Sequence, residues 1–104
     1  MLFVETSAFS SLLPTYLSDE EFRELQVMLM ERPDAGDLIP GSGGIRKVRW
    51  ARSGMGKSGG LRVIYYWAKM PEHIYLLTMY AKGERENIDA ATLKRIAKQL
   101  ESIK

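Results

Sequence analysis

Apolar and polar residues alternate along this chain with two different periods, and the switches between them mark its elements. Leu2 to Glu5 is a short β-prone run. A short helix follows, carrying Phe9, Leu12 and Leu13, with Ser7 placed to cap it and Pro14 expected to disturb or end it. Ser18-Asp-Glu-Glu21 has the form of a capping box, with acidic side chains where the helix dipole favours them. Phe22, Leu25 and Leu29 then recur at helical spacing until Pro33.

Asp34 to Gly44 reads as a loop rich in glycine and proline. In Ile45 to Trp50 the period becomes two, with Val48 and Trp50 on one side and Lys47 and Arg49 on the other. Ser53 to Gly60 is a second glycine-rich loop. Leu61 to Ala68 is apolar on both faces except for Arg62, as a central strand would be. A turn at Lys69 to His73 leads to a further strand, Ile74 to Ala81. The last segment has Asp89 as N-cap and an apolar stripe of Leu93, Ile96, Leu100 and Ile103, with Lys94, Arg95, Lys98 and Glu101 mostly off it. The order is β-α-α-β-β-β-α. It predicts one α+β domain over residues 1–104, an antiparallel sheet with helices packed on one face and the face bearing Lys47 and Arg49 left open.

Composition narrows the chemistry. The 104 residues include no cysteine, which removes disulfides and thiolate catalysis. The N-terminus lacks a basic n-region and Glu5 interrupts its apolar stretch. No run approaches the roughly 18 apolar residues of a membrane helix, so a cytoplasmic protein is expected. Net charge is only +2, but its distribution is uneven. From Leu38 to Pro71 there are seven basic residues (Arg46, Lys47, Arg49, Arg52, Lys57, Arg62 and Lys69) and no acidic one, against eight basic and thirteen acidic residues elsewhere. That asymmetry is the footprint of a site for a polyanion.

Several local motifs are incomplete. Gly56-Lys57-Ser58 resembles the end of a phosphate-binding loop, but Ala51 stands where the first glycine belongs and a β-rich run follows instead of a helix. Nucleotide binding is therefore not expected. His73 is the only histidine, so neither a metal site nor a Ser-His-Asp set can be assembled around it. Tyr65, Tyr66 and Trp67 have the chemistry to stack on RNA bases, although alternation on a strand sends at least one of them to the core.

Three segments together carry a family resemblance: Gly44-Ile-Arg-Lys-Val-Arg49, Gly56-Lys-Ser-Gly-Gly-Leu-Arg-Val-Ile-Tyr-Tyr66 and Tyr75-Leu-Leu-Thr-Met-Tyr-Ala-Lys82, preceded by Leu17-Ser-Asp-Glu-Glu21 and Pro33-Asp-Ala-Gly-Asp37. The chain resembles the HigB branch of RelE-like toxins over nearly its whole length. The resemblance implies a RelE-like fold, ribosome-dependent cleavage of messenger RNA, no metal or other cofactor, and neutralisation by a helix-turn-helix antitoxin encoded next door. By position it implies catalytic roles for Lys47, Arg49, Lys57, Arg62 and Lys82. Arg46, Arg52, Tyr66 and Tyr80 are the expected RNA-binding residues. The C-terminal tyrosine, histidines and carboxylates used by other branches have no counterpart, so the general base stays open among Lys47, Lys57, Lys82 and Tyr80. Two other functions fit the same fold: a ParE-like poison of DNA gyrase, against which the basic set counts, and a non-catalytic RNA-binding module.

Overall fold

The protein is described by a computed structural model covering residues 1–51, 60–81, 83–84 and 90–102. Its elements are β1 (Leu2–Glu5), α1 (Ser7–Tyr16), α2 (Asp19–Glu31), β2 (Asp37–Leu38), β3 (Ile45–Trp50), β4 (Leu61–Lys69), β5 (Glu72–Ala81) and α3 (Ala90–Ser102). Asp89, the expected cap of α3, Ile103 and most of the second glycine-rich loop lie outside the described residues.

The helix starts follow from side-chain caps. Thr6, not Ser7, caps α1: its Oγ1 accepts the Phe9 N–H at 3.1 Å and its hydroxyl donates to the Leu77 carbonyl at 2.8 Å. Pro14 does not end α1, which runs to Tyr16 before Leu17 N–H donates to Leu13 O at 2.9 Å. Proline removes one intrahelical donor. Here it sits on the exposed side, only two residues from the helix end, where the loss is small. At α2 the capping box forms in full, with Glu21 N–H on Ser18 Oγ at 3.1 Å and Ser18 N–H on Glu21 Oε1 at 2.9 Å.

The strands form one five-stranded sheet in the order β1-β5-β4-β3-β2. All pairings are antiparallel except β1 with β5, which is parallel, so the sheet is mixed. The strand β2 is an addition to the expected order: two residues of the loop, Asp37 and Leu38, pair with Lys47 and Arg46. Two residues are too few to show a period.

The helices do not share a face. Phe9, Leu17, Leu25 and Leu29 of the α1–α2 segment pack with Val48, Leu61, Val63, Tyr65, Ile74, Leu76 and Met79. Leu93 and Ala97 of α3 pack with Ile45, Ile64, Tyr66, Leu77 and Tyr80 on the other side. The expectation of helices on one face is corrected accordingly. The physical reason is β4, apolar on both faces, which leaves a second apolar surface that the stripe of α3 buries.

The pairing of β4 with β5 contains one irregularity. Register shifts at Ile64/Tyr65, pairing Ile64 with Thr78 but Tyr65 with Leu76, so Leu77 is the extra residue of a bulge. The bulge inverts the alternation of β5. Ile74 and Leu76 face α1 and α2, but beyond Leu77 that side is taken by Met79, and Tyr80 turns to the side of α3.

Candidate functional site

Strand register assembles the site. Arg49 of β3 lies directly opposite Arg62 of β4, and Arg62 lies opposite Tyr80 of β5. Directly opposed residues in an antiparallel pair share a face, with Cα atoms about 4.5–5.5 Å apart. The three side chains therefore form a row across the centre of the sheet, and Lys47 stands one pleat away on the same face, opposite Ile64. Without the β5 bulge, Tyr80 would point away from this row.

The row shares its face with α3, which packs with its Tyr80 end but leaves the basic end open. Leu93 and Ala97 pack with Ile45, Ile64, Tyr66, Leu77 and Tyr80, while Lys47 and Arg49 remain exposed and Arg62 half-buried. The open face expected from the sequence is thus an open half-face. Tyr80, at 7% exposure, forms the floor beside Arg62.

Two arginines directly across a strand pair repel, and like charges in this arrangement destabilise a sheet. Among the described residues, no carboxylate pairs with Lys47, Arg49 or Arg62. The unsatisfied charge fits an anion held between two planar guanidinium forks, a geometry that arginine matches with two-point hydrogen bonds to phosphate. Among the described residues no group of three or more His, Cys, Asp or Glu comes together to hold a metal ion.

Other expected residues are placed differently. Arg46 points to the opposite face, where its Nη1 donates to Gly36 O at 2.8 Å and Asp34 O at 3.3 Å. It anchors the loop before β2 and is not part of the row. Tyr66 is 8% exposed, packs near Tyr75 with ring centroids 6.4 Å apart and belongs to the cluster beneath α3, so its ring is not presented for stacking. Tyr65 is fully buried. Its hydroxyl donates to Pro33 O at 2.7 Å and accepts Gly36 N–H at 2.9 Å. Burial pushes the Tyr65 phenol above its ordinary value; the Gly36 N–H and the charge of Arg46 pull the other way. His73 is half-buried, edge-on to Tyr75 at 5.9 Å. Lys57, Arg52 and Lys82 lie outside the described residues.

The structure adds one residue that sequence reasoning missed. Asp37, exposed on β2, lies opposite Lys47 and so borders the basic face with a carboxylate. It stands one position before the acid-free stretch and inside what reads as a loop, so neither charge nor period marked it.

A family model described as the RelE toxin of the RelE/RelB toxin–antitoxin system matches residues 17–104. The chain belongs to the RelE toxin family. The matched span runs from the residue before the α2 capping box to the end of the chain and contains every candidate residue of the basic face. Membership makes this chain the toxin of a toxin–antitoxin pair, with an antitoxin as partner, in a family whose toxins are generally endoribonucleases. Among the described residues no helix of this RelE-family toxin is long and apolar enough to cross a membrane.

Proposed function

We propose that this RelE-family toxin belongs to the HigB branch and cuts messenger RNA on the ribosome, in the cytoplasm, by directing a ribose 2′-hydroxyl at its own 3′-phosphate. The observation that carries this reading is the Arg49–Arg62 cross-strand pair on an exposed half-face, with Lys47 beside it. In the reaction the 2′-oxygen forms a bond to phosphorus as the bond to the 5′-oxygen breaks. A cyclic 2′,3′-phosphate remains on one fragment and a 5′-hydroxyl on the other. A base takes the 2′-proton and an acid returns one to the leaving oxygen.

The extra negative charge on the phosphorane is the main electrostatic demand, and two fixed guanidinium groups meet it without reorganising during the step. Arg62, half-buried beside Tyr80, is the more enclosed of the pair and carries the larger share. The base is sought among Lys47, Lys57 and Lys82, to which Asp37 is added by its place opposite Lys47; Tyr80 is nearly enclosed. Alignment comes largely from the ribosome, since holding a message in reactive geometry supplies ~7–11 kcal/mol of a barrier. The partner is taken to be a helix-turn-helix antitoxin encoded by the adjacent gene. No metal or organic cofactor enters the scheme.

Single-turnover cleavage of one message, ribosome-bound and free in buffer, tests the proposal. The bound message is expected to be cut far faster, with no loss on adding a chelator. Equal rates on both would show that the protein aligns RNA by itself, and loss on chelation would show a metal-dependent reaction.

A further inference from the structure

We propose that α3 extends the basic half-face into a phosphate track, so that Lys94 and Lys98 grip the messenger strand beside the cut site. The inference rests on reading the Arg49–Arg62 pair as the seat of the scissile phosphate. It concerns a helix whose sequence pattern points only to core covering.

The placement of α3 carries the argument. Leu93 and Ala97 seat the helix on the same sheet face as Lys47, Arg49 and Arg62. Its approach is close at the β2–β3 loop: a Cβ at Gly43 would lie 3.5 Å from Lys94 Cγ and 3.7 Å from Ala97 Cβ. Gly43 comes two residues before Ile45, where β3 begins, and Lys47 follows two residues later on the face that Ile45 shares. Lys94, held against that loop, therefore flanks the same edge of the sheet as Lys47. Lys98 is one helical turn further on, a rise of about 6 Å, and both side chains are exposed.

The basic set thus turns a corner on one face: Arg62 and Arg49 lie across the sheet, Lys47 stands one pleat along β3 towards the loop that Lys94 touches, and Lys98 follows on α3. The Arg49–Lys47 step on β3 and the Lys94–Lys98 step on α3 each advance about 6–7 Å, a phosphate-to-phosphate spacing, and the four residues from Gly43 to Lys47 between them span at most about 14 Å, room for two such steps. Across Ala90–Ser102 the helix has one acidic residue, Glu101 near its end, whereas α2 places Asp19, Glu20 and Glu21 in its first turn alone. The lysines at i and i+4 repel one another in the free protein, and a polyanion relieves that repulsion as it relieves the one between Arg49 and Arg62. Asp37 borders Lys47 on the β2 side, where its carboxylate disfavours a phosphate. The occupant fitted by this geometry is the message itself, because these exposed lysines share a sheet face with the proposed site of cleavage.

Fully 2′-O-methylated RNA, which cannot be cleaved, separates binding from chemistry. Affinities of a 3-mer and a 12-mer of about those lengths are measured against salt for the wild type, for Lys94→Gln/Lys98→Gln and for Lys94→Arg/Lys98→Arg. Losing two phosphate contacts to a single strand lowers the salt slope by about 1.4, so a four-fold rise in salt costs the wild type about seven-fold more affinity than the Gln pair. The 12-mer is expected to show this difference, the 3-mer to bind both proteins alike, and the Arg pair to behave as wild type. An unchanged 12-mer slope in the Gln pair overturns the track. So does retained 12-mer binding with lost binding to message-free ribosomes, which would assign the lysines to ribosomal RNA. If Arg49→Gln/Arg62→Gln leaves 3-mer binding intact, the seat of the phosphate is wrong and both readings fall, an outcome distinct from failure of the lysines alone.

Discussion

The guanidinium of Arg46 donates to the carbonyls of Gly36 and Asp34, whereas the ammonium of Lys47, one residue on, projects from the opposite face towards the proposed substrate. Alternation along β3 makes this division, and charge alone does not reveal it. Arg46→Ala is expected to lower stability by about 1.5 kcal/mol, the scale of a hydrogen bond from a charged donor, and to lower the Tm. Below that Tm, its single-turnover cleavage of ribosome-bound message should match the wild type. A normal Tm with slowed cleavage would return Arg46 to the RNA site. The same alternation makes the shared face of Lys47 and Arg49 legible from sequence, whereas Arg62 stands out only as the one basic residue of a strand apolar on both faces. The covering of Tyr66 is not legible, because a strand apolar on both faces gives no sign of which face a helix will meet. Asp37 is missed because its strand has only two residues.

At the level of elements, the capping box of α2 and the bounds of β1 and β3 follow directly from local chemistry. The bulge at Leu77 does not, since Leu76 and Leu77 are both apolar and no glycine or charge marks the extra residue. Its effect, turning Tyr80 towards Arg62, emerges only with the pairing. Tyr65 ties these elements together by fastening the α2–β2 loop to the centre of the sheet. The loop must come close, as a Cβ at Gly36 would stand 3.0 Å from the Lys47 backbone and 2.9 Å from the Tyr65 ring. Tyr65→Phe strands a buried N–H at Gly36 and a carbonyl at Pro33, at a cost of about 1–3 kcal/mol near neutral pH. Burial raises the folded-state value of this phenol above its unfolded one. Its contribution is therefore complete below about pH 10 and lost as pH climbs through the raised value. Denaturation across that window should show the wild type losing stability that Tyr65→Phe does not lose. Parallel pH profiles would mean that the phenol is not held as described.

Over the whole molecule, the uneven charge of the sequence becomes a division of labour. Acidic α2 covers one side of the sheet, while the basic row and α3 occupy the other, and the apolar residues of that second face seat the helix while Lys47 and Arg49 stay exposed. The α+β architecture and the basic cluster are readable because each rests on a repeated local pattern. The split of the helices between two faces is not, because it depends on which of two apolar surfaces a third helix meets. The central claim is that Arg62 stabilises the charge developing on the cleaved phosphate, and it is tested most directly by single-turnover cleavage on ribosome–message complexes saturated with toxin. Arg62→Ala is predicted to slow that step by about 10²–10³ with ribosome affinity nearly unchanged, and Arg62→Lys to recover only part of the loss, because an ammonium lacks the two-point grip. Near-normal cleavage by Arg62→Ala would contradict the account.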